Sequence, residues 1–186
     1  GERDITPLDV RRRSHLGIGR SFQRTNVFRN LSAFENVRIA AQSRTRASYQ
    51  LWSSTRHLTD VASRANAVLD ELGLGALASR RASELAGGDQ RLLEIAIALA
   101  TAPKLLLLDE PSQRLSGEDA RRLMGQIRAL GSRYTIVLIE HNMQLVMELS
   151  DRVTVMNFGA VLAEGTPAEI RADPRVREAY LGTRAG

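Results

Sequence analysis

Two apolar runs, each closed by acidic residues, constrain this chain more than any other feature. Leu105 to Leu108 is four leucines in succession, ending in Asp109-Glu110-Pro111. Thr135 to Ile139 (TIVLI) is the second, ending in Glu140-His141. Continuous apolar runs of this length read as strands buried on both faces, as in a parallel sheet. Arg152 to Met156 (RVTVM) reads as a third strand, and Ala160 to Ala163 as a weaker fourth after a turn at Gly159. Helical patterns lie between them, over Gly117 to Leu130 and Met143 to Leu149. Strand, helix, strand, helix, strand predicts an α/β fold built on a parallel sheet.

The first hundred residues follow a helical rhythm instead. Ser32 to Ala41 carries Ser32 as N-cap with Glu35 three residues on, the pattern of a capping box. Leu58 to Leu72 places Val61, Ala65, Val68, Leu69 and Leu72 on one stripe. Gln90 to Ala100 is a third helix, stopped before Pro103. Ser43 to Ser54 has no period and reads as a loop or frayed helix, with Trp52 as a packing residue. A helical block therefore precedes the α/β block.

Composition removes several classes of function. The 186 residues are 43% hydrophobic, enough for one globular core, yet no run approaches the roughly 18 apolar residues of a membrane span. The opening GERDITPLDVRRR has no apolar secretion-signal core. The absence of cysteine excludes disulfides, thiolate metal sites and cysteine nucleophiles. With His15, His57 and His141 alone, a histidine metal site is not expected, and His15 and His57 read as surface residues. The net charge of +5 comes from arginine, Lys104 being the one lysine. The arginines are scattered, and Arg11 to Arg13 has no aromatic among them to stack on bases. They read as a solvated surface, so no nucleic-acid partner is expected.

In an open parallel sheet, ligands gather outside the carboxyl ends of the strands. Two strand ends here carry Asp109-Glu110 and Glu140-His141. One carboxylate there can hold Mg²⁺ and another can orient or deprotonate a water, although acids after a strand also make an ordinary turn. A histidine in that position can equally cap the next helix. Upstream, Leu85-Ala86-Gly87-Gly88-Asp89-Gln90 leads into a helix, where glycines let backbone N–H groups approach an anion. A plain loop explains that segment equally well when it is read alone. Its place about twenty residues ahead of Asp-Glu-Pro narrows the choice.

With these motifs in this order, the chain resembles the ATP-binding subunit of an ABC transporter over nearly its whole length. Ser21-Phe22-Gln23 resembles the Q-loop, LAGGDQ the LSGGQ signature, LLLLDEP the Walker B strand, Ser112 to Ser116 the D-loop and IVLIEH the switch segment. The resemblance implies ATP and Mg²⁺ as the bound groups. It assigns Asp109 and Gln23 to Mg²⁺, Glu110 as general base, and Gln23 and His141 to the reacting phosphate and water. It assigns Ala86, Gly87, Gly88, Asp89 and Gln90 to nucleotide.

The implied fold is a P-loop NTPase core with a parallel sheet plus an α-helical subdomain. Its expected divisions are a remnant of the core over 1–22, the Q-loop and helical subdomain with the signature over 23–100, the α/β core over 101–157, and a terminal strand and helices over 158–186. Implied partners are transmembrane permease subunits, a second ATPase subunit and, indirectly, a solute-binding protein. The implied location is peripheral, on the cytoplasmic face of the inner membrane. Phe22 to Asn36 and Leu58 to Leu72 would line the permease groove, with Phe28, Leu31 and Phe34 as candidate walls.

GIGRSFQRTNVFRNLSAFENV and GTPAEIRADPRVREAYLG resemble the ATPases of branched-chain amino-acid uptake, with lipopolysaccharide-export and urea-uptake ATPases as near alternatives. A non-catalytic remnant and a nucleic-acid-associated ABC ATPase are the other readings.

The sequence departs from the family pattern in three places. No G-x-x-x-x-G-K-[ST] occurs, so the chain is expected to lack the P-loop strand and helix, as a fragment or a truncated product. Alone, it is then expected neither to bind ATP in the family's way nor to be active. Apolar surface is expected on Leu105 to Leu108 or the neighbouring strand. Ala86 stands for the signature serine and Asp89 for its glutamine, which brings a negative charge toward the phosphate. In the D-loop, Gln113-Arg114 stands where small residues are usual, and Ser116 where Asp or Asn is common.

Overall fold

The computed structural model describes residues 4–21, 27–43 and 55–181. Gln23 and Trp52 lie outside them, as does the loop or frayed helix beyond Ser43. The chain forms two compact units, residues 1–139 and 140–186. Among the described residues, no helix is long and apolar enough to cross a membrane.

The first unit carries the helical block. Helix α1 spans Val10–His15, strand β1 Ile18–Arg20, α2 Ala33–Gln42, α3 Thr55–Glu71 and α4 Gly87–Ala100. Ser32 caps α2 as its sequence predicts, its hydroxyl accepting the Glu35 N–H at 3.1 Å. The expected reciprocal bond gives way to an ion pair, because the Glu35 carboxylate takes the Arg38 guanidinium at 2.8 Å. The predicted α3 stripe is the buried one: Val61, Ala65, Val68, Leu69 and Leu72 are all in the core. So are Leu92, Leu93, Ile95, Ala96 and Leu99 of α4. Arg64 of α3 donates to the Leu99 and Ala100 carbonyls at 3.1 and 2.8 Å. These bonds give the last carbonyls of α4 a cationic partner. Buried Asn36 accepts the Phe28 N–H at 2.7 Å and donates to the Phe28 and Ser32 carbonyls, pinning that loop to α2.

Strands β2 (Leu105–Asp109) and β3 (Thr135–Ile139), joined through α5 (Gly117–Leu130), complete the unit. The sheet order is β1-β2-β3, all parallel, with Arg20 opposite Leu107 and Asp109 opposite Ile139. Leu106 and Leu108 are fully buried. The second run was expected to be buried on both faces, and this is corrected: Val137 is 47% and Ile139 58% exposed. The expected apolar exposure thus falls on the neighbour of the leucine strand. Among the described residues, β3 is an edge strand whose Val137 lies opposite half-buried Leu107.

The second unit holds α6 (Met143–Leu149), β4 (Val153–Asn157), β5 (Ala160–Gly165), α7 (Pro167–Ala172) and α8 (Pro174–Leu181). Here the expectation that RVTVM joins a parallel sheet is overturned, because β4 pairs antiparallel with β5. The physical reason is visible in its pattern. Val153 and Val155 point inward while Thr154 and Met156 face solvent, the alternation of a strand covered on one face. Val153, Val155, Ala163, Ile170 and Val176 form the core, with Met143, Val146, Met147 and Leu162 against it. Thr166 and Glu169 close a complete capping box on α7. The Thr166 N–H and hydroxyl hold the Glu169 carboxyl below its ordinary pKa.

The β4–β5 hairpin turns through Phe158 and Gly159, with φ of 45° and 80°. Two positive φ values in a two-residue loop suit Asn-Gly or Gly-Gly, and a phenylalanine there is strained. Its ring is fully exposed, so no packing offsets the strain. Phe158→Asn is therefore expected to stabilise the second unit by about 1 kcal/mol, read as a raised melting temperature. An unchanged or lowered one would show that the turn carries no such strain.

Candidate functional site

The site grows from the carboxyl end of β2. Asp109 is the last residue of that strand, and its carboxylate lies 3.4 Å from the Arg20 guanidinium at the end of β1. The next residue, Glu110, has a φ of 44°. A non-glycine residue is found in that region only when its surroundings impose it. The Glu110 N–H donates to the Ile139 carbonyl of β3 at 2.9 Å, and its own carbonyl accepts the Gln113 N–H at 3.1 Å. These bonds anchor the kink to the sheet on one side and to the following turn on the other. The Gln113 side-chain amide donates to Glu110 Oε2 at 2.8 Å.

That turn delivers the chain to α5, whose N-cap is Ser116. The Ser116 hydroxyl accepts the Asp119 N–H at 3.2 Å and donates to the Asp119 carboxylate at 2.9 Å. The first turn of α5 then meets the first turn of α4. A Cβ on Gly88 would lie 2.8 Å from Asp119 Oδ1, and one on Gly87 would lie 3.7 Å from the Leu115 side chain. Gly88 is thus the residue that permits this close approach.

The glycines lie within α4, at its first two positions, and not ahead of it as the sequence suggests. Ala86 is the N-cap and offers no side-chain bond. The N–H groups of a first helical turn have no intrahelical acceptor, and the helix dipole favours negative charge there. Asp89 sits in that turn, but its carboxylate is held by Arg122 of α5 at 2.5 Å. The acid expected to repel a phosphate therefore has a cation beside it. The Gln90 amide donates to the Ala82 and Leu85 carbonyls at 3.2 and 3.0 Å, which fixes the approach to the helix.

His141 belongs to the second unit and is exposed. It is not the cap of α6. Asn142 performs that task, its Oδ1 accepting the Gln144 and Leu145 N–H groups at 3.1 and 3.3 Å. Among the sequence-derived candidates, the fold of the first unit links Asp109 and Glu110, through the turn that ends at Ser116, to Gly87, Gly88 and Asp89. Arg20, Gln113 and Arg122 are the partners that sequence reasoning did not supply for them.

Among the described residues, no group of three or more histidine, aspartate or glutamate side chains is placed to hold a metal by itself. Mg²⁺ does not require such a cage, being bound through one or two carboxylates plus phosphate oxygens and water. Asp109 offers one hard oxygen donor group of that kind, so the residues fit the ion.

Comparison with known proteins agrees with this arrangement. Residues 2–113 match the ABC transporter family, and residues 160–186 match the family described as branched-chain amino acid ATP-binding cassette transporter. The chain is 40% identical to the high-affinity branched-chain amino acid transport ATP-binding protein LivG of Salmonella typhimurium, over 97% of this chain and 74% of LivG. It is 37% identical to BraF of Pseudomonas aeruginosa, over 96% of this chain and 73% of BraF. It is 35% identical to the lipopolysaccharide export system ATP-binding protein LptB of Acidithiobacillus ferridurans, over 97% and 71%. The ADP conformation of MJ1267, an ATP-binding cassette of an ABC transporter, superposes with a TM-score of 0.79 at 29% identity, covering 97% of this chain and 74% of that one. A nucleotide-free ATP-binding cassette gives 0.78 at 28%, covering 96% and 74%. With the acids at the end of β2, the glycine-opened α4 and the turn that joins them, these likenesses establish that the chain belongs to the ABC transporter ATP-binding family.

Proposed function

We propose that this chain couples ATP hydrolysis to the uptake of branched-chain amino acids. The observation that carries the reading is the match of residues 160–186 to the branched-chain family, together with 40% identity to LivG along nearly the whole chain. In this reading the substrate is ATP, and water attacks its γ-phosphorus as the bond to ADP breaks. Glu110 accepts the water's proton, for which its carboxylate is fixed at the end of β2 by the kink and by Gln113. Asp109 would hold Mg²⁺, which would supply charge neutralisation on the phosphate oxygens. The first turn of α4, with Ala86, Gly87, Gly88, Asp89 and Gln90, faces nucleotide held by a second ATPase subunit. His141 would contact the transferred phosphate, and Gln23 would contact the attacking water and Mg²⁺ and relay to the membrane partner. The partners are transmembrane permease subunits, and the chain sits on the cytoplasmic face of the membrane.

The test is ATP hydrolysis by the purified transporter with all its subunits. The reading expects turnover to rise when a solute-binding protein loaded with leucine, isoleucine or valine is added. Turnover that responds to lipopolysaccharide or urea, and not to these amino acids, would overturn the substrate assignment.

A further inference from the structure

The D-loop is expected to carry a small residue where this chain has Gln113, and the turn from Glu110 to Ser116 gives that side chain a place. Glu110 is kinked at a φ of 44°, its N–H fixed to Ile139 and its carbonyl bonded to the Gln113 N–H at 3.1 Å. That turn sets residue 113 beside residue 110, and the Gln113 amide reaches Glu110 Oε2 at 2.8 Å. An alanine or glycine at 113 has no such group.

A glutamate side chain has three rotatable bonds, and ordering it costs conformational entropy. A general base works only within hydrogen-bond reach of the proton it takes. A carboxylate has about four lone-pair sites, so a donor on one of them restricts the rotamer without using up the group's capacity to accept. The donor here is a neutral amide, so it orients the carboxylate without cancelling its charge. A lysine or arginine in the same place would do both. We infer that Gln113 is a positioning residue for Glu110, holding the base by Oε2. The inference rests on the proposed role of Glu110 as general base.

The test compares wild type with Gln113→Ala, Gln113→Glu and Gln113→His in the purified transporter. Gln113→Ala is expected to lower kcat about five- to tenfold, the net worth of one ordinary intramolecular hydrogen bond, with KM for ATP within about twofold. Gln113→Glu keeps the shape but replaces the donor with a second carboxylate, and should fall at least as far. Gln113→His restores an N–H donor of similar reach and should recover most of the rate. Thermal melts of the variants separate loss of fold from loss of position.

An unchanged or raised kcat in Gln113→Ala overturns the inference, as does a loss that His does not recover. A second measurement needs no turnover. In the 186-residue chain, the Gln113 side-chain amide ¹⁵N–¹H signals should move to solvated positions in Glu110→Ala. Signals already solvated in wild type would overturn the pairing itself. If the pair forms but wild type hydrolyses no ATP, the proposed function fails and takes the positioning role with it.

Discussion

Glu110→Gln is expected to lower ATP turnover by the assembled transporter by about 10²–10⁴-fold, the range spanned by loss of a general base. The change keeps the side chain's size, so the kink at 110, set by backbone bonds to Ile139 and Gln113, should survive. What is lost is a carboxylate able to take the proton of the attacking water. Nucleotide binding by the assembled transporter, read by calorimetry, should be unchanged from wild type, because the substitution leaves Asp109 and the first turn of α4 as they are. A variant that retains more than about a tenth of wild-type turnover would place the base elsewhere.

The largest effect on stability is expected at the centre of the helical block. Leu93 of α4 has no exposed surface, and its neighbours Leu92, Ile95 and Ala96 are buried beside it. Leu93→Ala removes three carbons and leaves a cavity that packed helices close only partly. Loss of about 2–5 kcal/mol is expected for a leucine so placed. Chemical denaturation should show a lower midpoint at unchanged slope. A loss below about 1 kcal/mol would mean that the block is loosely packed around this residue.

Much of the fold is legible in local pattern. Thr135–Ile139, Gly117–Leu130 and Met143–Leu149 are the observed bounds of β3, α5 and α6. Each is marked by periodicity or by an apolar run of the right length. The start of α4 is three residues earlier than the pattern suggests, because glycine is a poor helix former and masks a first turn built from Gly87 and Gly88. Strand β1 is three residues long with Gly19 at its centre, too short to show alternation. The alternation in β4 was visible as Val-Thr-Val, but the strand–helix rhythm before it suggested a parallel continuation.

The site divides along a similar line. Acids at a strand end and glycines before an apolar helix are local signals, so Asp109, Glu110, Gly87 and Gly88 can be found by reading along the chain. The partners that hold them cannot. Arg20 and Asp109 are 89 residues apart in sequence, and Asp89 and Arg122 are 33 apart. No periodicity connects such pairs, since packing of the sheet and of α4 on α5 brings them together. Gln113 was conspicuous as a large residue in the D-loop, yet nothing in the sequence shows that its amide faces Glu110.

Uptake of radiolabelled leucine, isoleucine and valine, in cells from which the gene for this chain has been deleted, tests the central claim most directly. High-affinity uptake should be lost, returned by the wild-type gene and not returned by Glu110→Gln at equal protein level. Uptake unchanged by the deletion, with lipopolysaccharide export or urea uptake failing in its place, would contradict it.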